Sequence, residues 1–250
     1  SDAWALPLRQ LGSAIKGAAL VGLNRPHNPT GAGMTGVQLR AVLAMCEQEG
    51  TRLISDEVYR DLAKRAAPPA ALLNERAVTV GGISKPFGLG GLRLGWLATQ
   101  DTTLLAALRR LRDYITLMPS GAAQRLGSIA IRHRQPLLER ASLLRDRNAA
   151  LLDEFLRCHH GRLRAVAPEA GCTAFVEALG VTDTKAFSRA AARQAGVLLL
   201  PGELFGRPGF VRMGFGSSTF EFGRALDKLD GWLARRAAVG DNGGSQDDQL

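Results

Sequence analysis

Short apolar runs alternate with helical patterns in the first half of the chain. The runs with the length and composition of strands span residues 18–23, 51–55, 76–82 and 92–99. A helix is predicted to begin near Thr35, because Thr35 and Gln38 are spaced as a capping box, and to end at Gly50. Strands separated by helices indicate a parallel sheet. The third and fourth runs are too close for a crossover helix, so the fourth strand is predicted to run antiparallel.

Helices dominate the middle of the chain, and a mixed region follows them. The helical patterns span residues 102–117, 120–133 and 136–160. Later strands are predicted at residues 163–168, 172–179, 197–202 and 210–215. A helix from Thr184 to Gly196 separates the two pairs of strands, and Ser218 with Glu221 begins a last helix as a second capping box. We therefore expect two domains that meet within the helix at 136–160.

Composition places the chain among globular proteins. Hydrophobic residues make up 46% of the 250 residues and charged residues 22%, which is enough apolar material for a sizeable core. No apolar run approaches membrane-spanning length, and the first ten residues lack the pattern of a signal peptide. Cys46, Cys158 and Cys172 are scattered and fit neither a disulfide framework nor a metal site. A cytoplasmic protein with no membrane partner is predicted.

The formal net charge is +9, and arginines are concentrated in residues 132–147. A basic stretch of this kind can bind nucleic acid. However, no aromatic residues alternate with these arginines, as recognition of single strands would favour. An arginine-rich helix face in contact with solvent explains the same pattern. No nucleic-acid partner is therefore predicted.

Three polar residues follow the first three predicted strands at a regular interval. Asn28, Asp56 and Lys85 are 28 and 29 residues apart, about one strand-plus-helix unit. In a parallel sheet this repeat brings them to the carboxyl edge, where open α/β sheets bind ligands. Taken singly, Asn28 could start a turn, Asp56 could cap a helix and Lys85 could lie on the surface. The three in register, with Arg93 close by, favour a binding site.

These residue types suit the chemistry of one cofactor. An amine such as that of Lys85 forms a Schiff base with an aldehyde, and Asp56 can pair with a protonated pyridine nitrogen. Asn28 and Tyr59 can donate hydrogen bonds to a ring phenolate, and a helical turn would put Tyr59 on the same side as Asp56. Arg93 can bind a phosphate. The set predicts a site for pyridoxal 5'-phosphate and no metal site.

Four motifs resemble those of the class I and II aminotransferases, which are pyridoxal-phosphate enzymes of fold type I. PHNPTG occupies residues 26–31, SDEVY 55–59, SKPFGLGGLRLGW 84–96 and FVRMGFG 210–216. Any one motif would be weak, but their order and spacing match the family. The match that they define covers nearly the whole chain apart from its tail.

The resemblance implies a fold class and a division of the chain. The fold would be α/β, with a three-layer large domain, partial here and built on a mostly parallel sheet, in residues 1–145. A smaller C-terminal α+β domain would occupy residues 146–239. The polar, glycine-rich residues 240–250 are predicted to be a disordered tail.

The resemblance also implies a role for each matching residue in the large domain. Lys85 would carry the cofactor and move a proton between the substrate Cα and the cofactor, and Asp56 would pair with the pyridinium. Asn28 and Tyr59 would bind the ring hydroxyl. The phosphate would be bound by Arg93 together with Ser84.

In the smaller domain, the resemblance assigns Arg212 of FVRMGFG to the substrate. Its guanidinium would hold the α-carboxylate through two parallel hydrogen bonds. The alternative for a buried arginine on a strand is a structural acid as its partner. The implied activity is transfer of an amino group from an α-amino acid to a 2-oxo acid, by a homodimer.

The chain departs from the family pattern at three places. Gly82 stands where many members have a phosphate-binding serine. Arg25 stands where asparagine or serine is usual, which puts a cation near the edge of the sheet and could influence substrate choice. Only 27 residues precede Asn28, whereas family members have a long segment there that supplies backbone donors to the phosphate and an aromatic stacked on the ring. We therefore expect a fragment, a truncated product, or a second chain that supplies this part.

Other functions remain open at this point. The motif at 84–96 has some likeness to the capreomycidine synthase branch, which eliminates and cyclises a hydroxyarginine, and an amino-acid decarboxylase is a third reaction of the same cofactor. A non-catalytic remnant, or a regulatory domain of the kind fused to DNA-binding modules, belongs to another class. No helix-turn-helix pattern is evident before residue 20, which weakens the regulatory hypothesis.

Overall fold

A four-stranded sheet organises the first half of the chain. The computed structural model describes residues 4–239, with the backbone alone for 237–239. The strands are β1 (Leu20–Asn24), β2 (Arg52–Asp56), β3 (Ala77–Gly82) and β4 (Gly95–Ala98), adjacent in that order. β1, β2 and β3 are parallel, with Asn24 opposite Asp56, whereas β4 runs antiparallel to β3. The predicted parallel sheet and its antiparallel fourth strand are confirmed.

Three helices accompany this sheet, and one of them begins as predicted. They are α1 (Leu8–Ile15), α2 (Gly36–Gln48) and α3 (Ala70–Leu73). The capping box of α2 is present, because the Thr35 hydroxyl accepts from the Gln38 amide and the Gln38 side chain accepts from the Thr35 amide. Val42 of α2 is fully buried in a cluster with Leu53 of β2. Burying such a side chain stabilises the fold by about 1.5–3 kcal/mol.

The middle of the chain is helical, as its pattern predicts. Its helices are α4 (Thr102–Ile115), α5 (Gly121–Arg132) and α6 (Arg134–Cys158). The Asp101 carboxylate caps α4 by accepting from the Leu104 amide at 2.8 Å. α6 begins two residues before the predicted start, since Pro136 is tolerated in the first turn of a helix.

A second four-stranded sheet lies in the last third of the chain. Its strands are β5 (Leu163–Ala165), β6 (Thr173–Ala178), β7 (Leu200–Pro201) and β8 (Phe210–Gly214). The order is β5-β6-β8-β7, and every neighbouring pair is antiparallel. The helices α7 (Thr184–Ala195) and α8 (Thr219–Val239) bury apolar side chains against this sheet, among them Phe187 and Trp232.

Contacts divide the chain into two compact units. Among the described residues, the first unit contains residues 4–143 and 168–171, and the second contains 144–167 and 172–239. The domain boundary predicted at residue 145 falls within α6. The tail predicted at 240–250 lies outside the described residues. Over the part of the chain that the structure describes, no helix has the length and apolar character needed to cross a membrane.

All four strands of the second sheet are shorter than the sequence predicts, and β5 and β7 differ the most. β5 ends at Ala165 instead of reaching Pro168, which has no amide to donate and belongs to the first unit. β7 contains only Leu200–Pro201 of the predicted 197–202. Pro201 lacks a donor for further pairing, and Gly202 begins a short 3-10 helix, Gly202–Phe205.

Candidate active site

The carboxyl edge of the first sheet brings three loops together. β1, β2 and β3 are parallel, so the loops after Asn24, Asp56 and Gly82 leave the same edge. Asn28 lies four residues past the end of β1, and its amide donates to the Asn24 Oδ1 at 2.8 Å. Lys85 lies three residues past the end of β3. The spacing therefore predicted correctly that the three residues follow neighbouring parallel strands.

The loop after β1 is held by hydrogen bonds within itself. The Thr30 hydroxyl lies 2.8 Å from the His27 Nδ1 and accepts from the Ala32 amide at 3.2 Å. The His27 amide donates to the Ala32 carbonyl, and the Gly31 amide donates to the His27 carbonyl. Burial lowers the pKa of His27, and the positive charge of Arg25 lowers it further. A neutral ring can accept the Thr30 proton at Nδ1, so this loop has a defined shape near Asn28.

Asp56 is the last residue of β2, and Tyr59 lies on the loop that follows it. Asp56 is half-buried, and its Oδ1 accepts from the Val58 amide at 3.1 Å. This contact is an Asx turn. One oxygen of the Asp56 carboxylate therefore caps the local backbone, which is the alternative role considered for this residue from the sequence. Tyr59 is buried and precedes a short 3-10 helix, Arg60–Leu62. The two residues are separated by one turn, in which the Arg60 amide donates to the Glu57 carbonyl.

Lys85 and Tyr59 are brought together from different loops. The Lys85 Nζ lies 5.8 Å from the centroid of the Tyr59 ring, and the lysine is exposed to solvent. The loop that bears Lys85 is closed at its base, where the Ile83 amide donates to the Leu94 carbonyl at 3.3 Å. The amine predicted from the sequence therefore lies at an accessible edge, beside an aromatic face.

Arg93 ends the same loop with an unusual backbone. It caps a short 3-10 helix, Gly90–Leu92, with φ of 53°, a left-handed conformation that costs a residue other than glycine roughly 1–3 kcal/mol. Its side chain is exposed, and Nη1 donates to the Gly90 carbonyl at 3.0 Å. Ser84 is half-buried beside Lys85. Two basic side chains thus occupy one exposed loop.

Arg25 lies in a cavity of the first unit. It lines this cavity together with Ser55, Glu57 and residues of the segment 63–68. Ser55 precedes Asp56 on β2, so their side chains point to opposite faces of the sheet. Burial lowers the pKa of Arg25, and the negative charge of Glu169 opposes this shift. The influence of Arg25 on substrate choice that the sequence suggested stays a prediction.

Arg212 lies on β8 in the second unit. It is half-buried between Phe175 of β6 and Leu200 of β7, which are its register partners. Its Cζ lies 5.7 Å from the centroid of the Phe205 ring. A planar guanidinium against an aromatic face is a suitable receptor for a carboxylate, because Arg stacks well and donates in parallel pairs.

The fold and this edge define an α/β protein of the aminotransferase type. The chain belongs to the family of class I and II aminotransferases, whose model matches residues 2–229. The resemblance inferred from the four motifs is thereby confirmed.

Individual relatives and solved structures agree with the family. The chain is 32% identical to an aspartate aminotransferase of Thermococcus kodakarensis, over 92% of this chain and 62% of the relative. It is 30% identical to the capreomycidine synthase of Streptomyces vinaceus, over 87% of this chain and 56% of the relative. A crystal structure of a PLP-dependent aminotransferase from Streptococcus suis superposes with a TM-score of 0.87 at 29% identity, covering 93% of this chain and 62% of that one. The chain therefore has the aminotransferase fold and spans about three fifths of the length of these proteins.

Proposed function

We propose that the protein is a pyridoxal-phosphate-dependent aminotransferase that transfers the amino group of an α-amino acid to a 2-oxo acid. One observation carries the proposal: the Lys85 amine lies beside Tyr59 at the carboxyl edge of the first sheet, in a member of the aminotransferase family. That edge is where α/β sheets bind their ligands. The aminotransferase named among the relatives supports the same activity.

The side chains at this edge fit the cofactor group by group. The half-buried carboxylate of Asp56 would pair with the pyridinium nitrogen, while Asn28 and Tyr59 would bind the ring hydroxyl. The exposed guanidinium of Arg93 would bind the phosphate, assisted by Ser84. When bound, the cofactor supplies an electron sink that stabilises negative charge at the substrate Cα.

Lys85 and Arg212 would handle the substrate. The Lys85 amine would anchor the cofactor's aldehyde and then hold and return the proton of the substrate Cα, a role that its exposure to solvent permits. Proton transfer by a positioned group contributes about 10²–10⁴-fold to a rate. Arg212, in the second unit, would bind the α-carboxylate through its two parallel N–H groups.

Reductive labelling tests the anchoring residue. Pyridoxal phosphate followed by borohydride should modify Lys85, as identified by peptide mapping, and Lys85→Met should abolish this label. Lys64→Met is the matched control, since Lys64 is another exposed lysine of the first unit, and this variant should keep the label. A label confined to another lysine would contradict the assignment. Formation of a 2-oxo acid from candidate amino acids then measures the activity.

The proposal extends to assembly and compartment. A homodimer would cover part of the apolar surface near the end of α4, where Tyr114, Ile115, Leu117 and Met118 are each more than two thirds exposed. Light scattering measures the oligomeric state directly. The cysteines Cys46, Cys158 and Cys172 are free thiols, which suits a reducing compartment such as the cytoplasm.

A second candidate reaction is elimination with cyclisation on the same cofactor. It is favoured by the identity to a capreomycidine synthase, which at 30% is close to the 32% identity to an aspartate aminotransferase. Both reactions would use Lys85 as the proton carrier, so labelling cannot separate them. Mass spectrometry of the products does: transfer yields a 2-oxo acid, whereas cyclisation retains the nitrogen in a ring.

A further inference from the structure

We propose that the segment Pro168–Gly171, named here the strap, positions the two loops that bear Asn28 and Tyr59. The inference rests on the proposed function, because it gives the strap a role in the cofactor site. The strap comes between β5 and β6 in the sequence, both of which belong to the second unit, yet its own contacts are with the first unit. Each contact described below lies within the first unit.

The strap is bound to the loop after β1 by three hydrogen bonds. The amides of Glu169 and Ala170 both donate to the Gly31 carbonyl, at 2.9 and 3.0 Å. In return, the Gly33 amide donates to the Glu169 Oε2 at 3.1 Å. Gly31 and Gly33 lie three and five residues after Asn28. The strap therefore restrains the loop immediately beyond the predicted ligand of the cofactor ring.

The strap is also bound to the loop after β2. The Gly171 amide donates to the Leu62 carbonyl at 3.3 Å, and Ala170 forms an isolated β-bridge with Ala63. Gly171 has φ of 77° and lies against the side chain of Tyr59: a Cβ at this position would be 3.4 Å from the Tyr59 Cδ1. Glycine adopts this backbone without strain, so the strap can pass close to the ring. Four residues thus join two loops that are distant in sequence.

The fit between Glu169 and Gly33 is close. A Cβ at Gly33 would come within 2.6 Å of the Glu169 Oε2, so a side chain at residue 33 would displace this carboxylate. The negative charge of Glu169 also acts on Arg25, whose pKa it raises against the effect of burial. Glu169 is therefore a positioning residue: its side chain acts on Asn28 through the backbone of the loop after β1, and it holds the strap whose Gly171 contacts Tyr59.

Hydrogen–deuterium exchange of the 250-residue chain without cofactor tests the strap. In Glu169→Ala, the amides of peptides 27–35 and 57–63 should exchange at least about threefold faster. The variant loses the hydrogen bond from the Gly33 amide to the carboxylate, and an exposed hydrogen bond to a charged group contributes modestly to stability. Gly33→Ala should reproduce this effect by displacing the carboxylate. Gly171→Ala should raise exchange about fivefold in 57–63, since it strains the left-handed backbone beside Tyr59. Unchanged exchange in all three variants would overturn the proposal.

The matched control is Glu177→Ala, which removes a carboxylate that accepts from Arg164 in the second unit. It should leave the exchange rates of both peptides unchanged. Equal acceleration in this variant would show a general loss of stability and would overturn the proposed role of the strap.

Titration with pyridoxal phosphate, followed by absorbance, gives the second readout. Glu169→Ala and Gly171→Ala should weaken binding at least about threefold, and Glu169→Gln, which keeps an acceptor for Gly33, should recover part of the loss. Faster exchange with unchanged affinity would exclude the positioning role. Failure of the unmutated chain to bind pyridoxal phosphate would count against the proposed function. Hydrogen–deuterium exchange would still test whether the strap restrains the two loops.

Discussion

The loop after β1 and the loop after β3 both bear predicted site residues, yet they are built differently. In the first, the polar side chains of His27 and Thr30 are bound to each other and to the backbone, and Thr30 is 4% exposed. In the second, the basic side chains of Lys85 and Arg93 face solvent, and Arg93 has a left-handed backbone. The first loop uses its polar groups for structure, and the second leaves its charges accessible.

This difference separates support from chemistry at the same edge of the sheet. A buried hydroxyl with two partners fixes a loop, and removing it leaves those partners without hydrogen bonds. An exposed cation contributes little to stability, because water already solvates it. If the comparison is right, substitutions of His27 and Thr30 in the loop after β1 should act on stability, whereas substitutions of Lys85 and Arg93 in the loop after β3 should act on ligand binding.

The largest effect is expected for Thr30→Val. Valine has the shape of threonine but leaves the Ala32 amide and the His27 ring without the Thr30 hydroxyl. Two lost hydrogen bonds at a buried position should lower the free energy of unfolding by about 2–3 kcal/mol. Denaturant unfolding measures this, with Thr103→Val on the exposed face of α4 as the control, expected within about 0.5 kcal/mol of the unmutated protein. Equal effects of the two variants would remove the distinction between the loops.

The local elements of this edge were predictable, but its cross-connections were not. The strands of the first sheet and the capping box at Thr35 follow from periodicity and spacing, both of which are local signals. The helix α1 (Leu8–Ile15) was missed, although Leu8, Leu11 and Ile15 recur at helical spacing. The bond between Gly33 and Glu169 joins residues 136 positions apart, and the location of Arg25 depends on which face of the sheet it meets. Such long-range contacts leave no local signature.

Acid should destabilise the loop after β1 through His27. Burial, reinforced by Arg25, lowers the pKa of His27 from its ordinary value of 6.5, so the unfolded chain binds its proton at a higher pH than the folded chain. The contribution to stability is complete above pH 6.5 and is lost as the pH falls through the lowered pKa. The stability lost when His27 is protonated should be smaller than that lost in Thr30→Val, since the Thr30 hydroxyl can still accept from the Ala32 amide. Unfolding curves between pH 7.5 and 5 should show this slope, and His27→Gln should flatten it. An unchanged slope in that variant would assign the acid sensitivity to other groups.

Gly82→Ser should strengthen anion binding by the loop after β3. A Cβ at Gly82 would lie 3.4 Å from the Leu94 carbonyl oxygen, which is an ordinary contact, and many family members have a phosphate-binding serine there. One added hydrogen bond to a charged group should tighten pyridoxal phosphate binding about tenfold. Gly82→Ala supplies the same Cβ without the hydroxyl and is the matched control. If both variants bind the cofactor equally, residue 82 does not face the phosphate.

The smallest effect on stability is expected for Lys85→Met, and it is the most direct test of the comparison. The Lys85 amine is exposed and 5.8 Å from the Tyr59 ring centroid, a distance at which a solvated cation contributes about 0.5–1 kcal/mol at most. Methionine keeps an unbranched side chain of similar length, so the free energy of unfolding should change by no more than this amount. Covalent fixation of the cofactor should be lost. Denaturant unfolding in the absence of cofactor measures the effect on stability alone, and the loss measured for Thr30→Val is the reference for comparison. A loss for Lys85→Met as large as that of Thr30→Val would mean that Lys85 holds the edge together. The division between a supporting loop and a reactive loop would then be wrong.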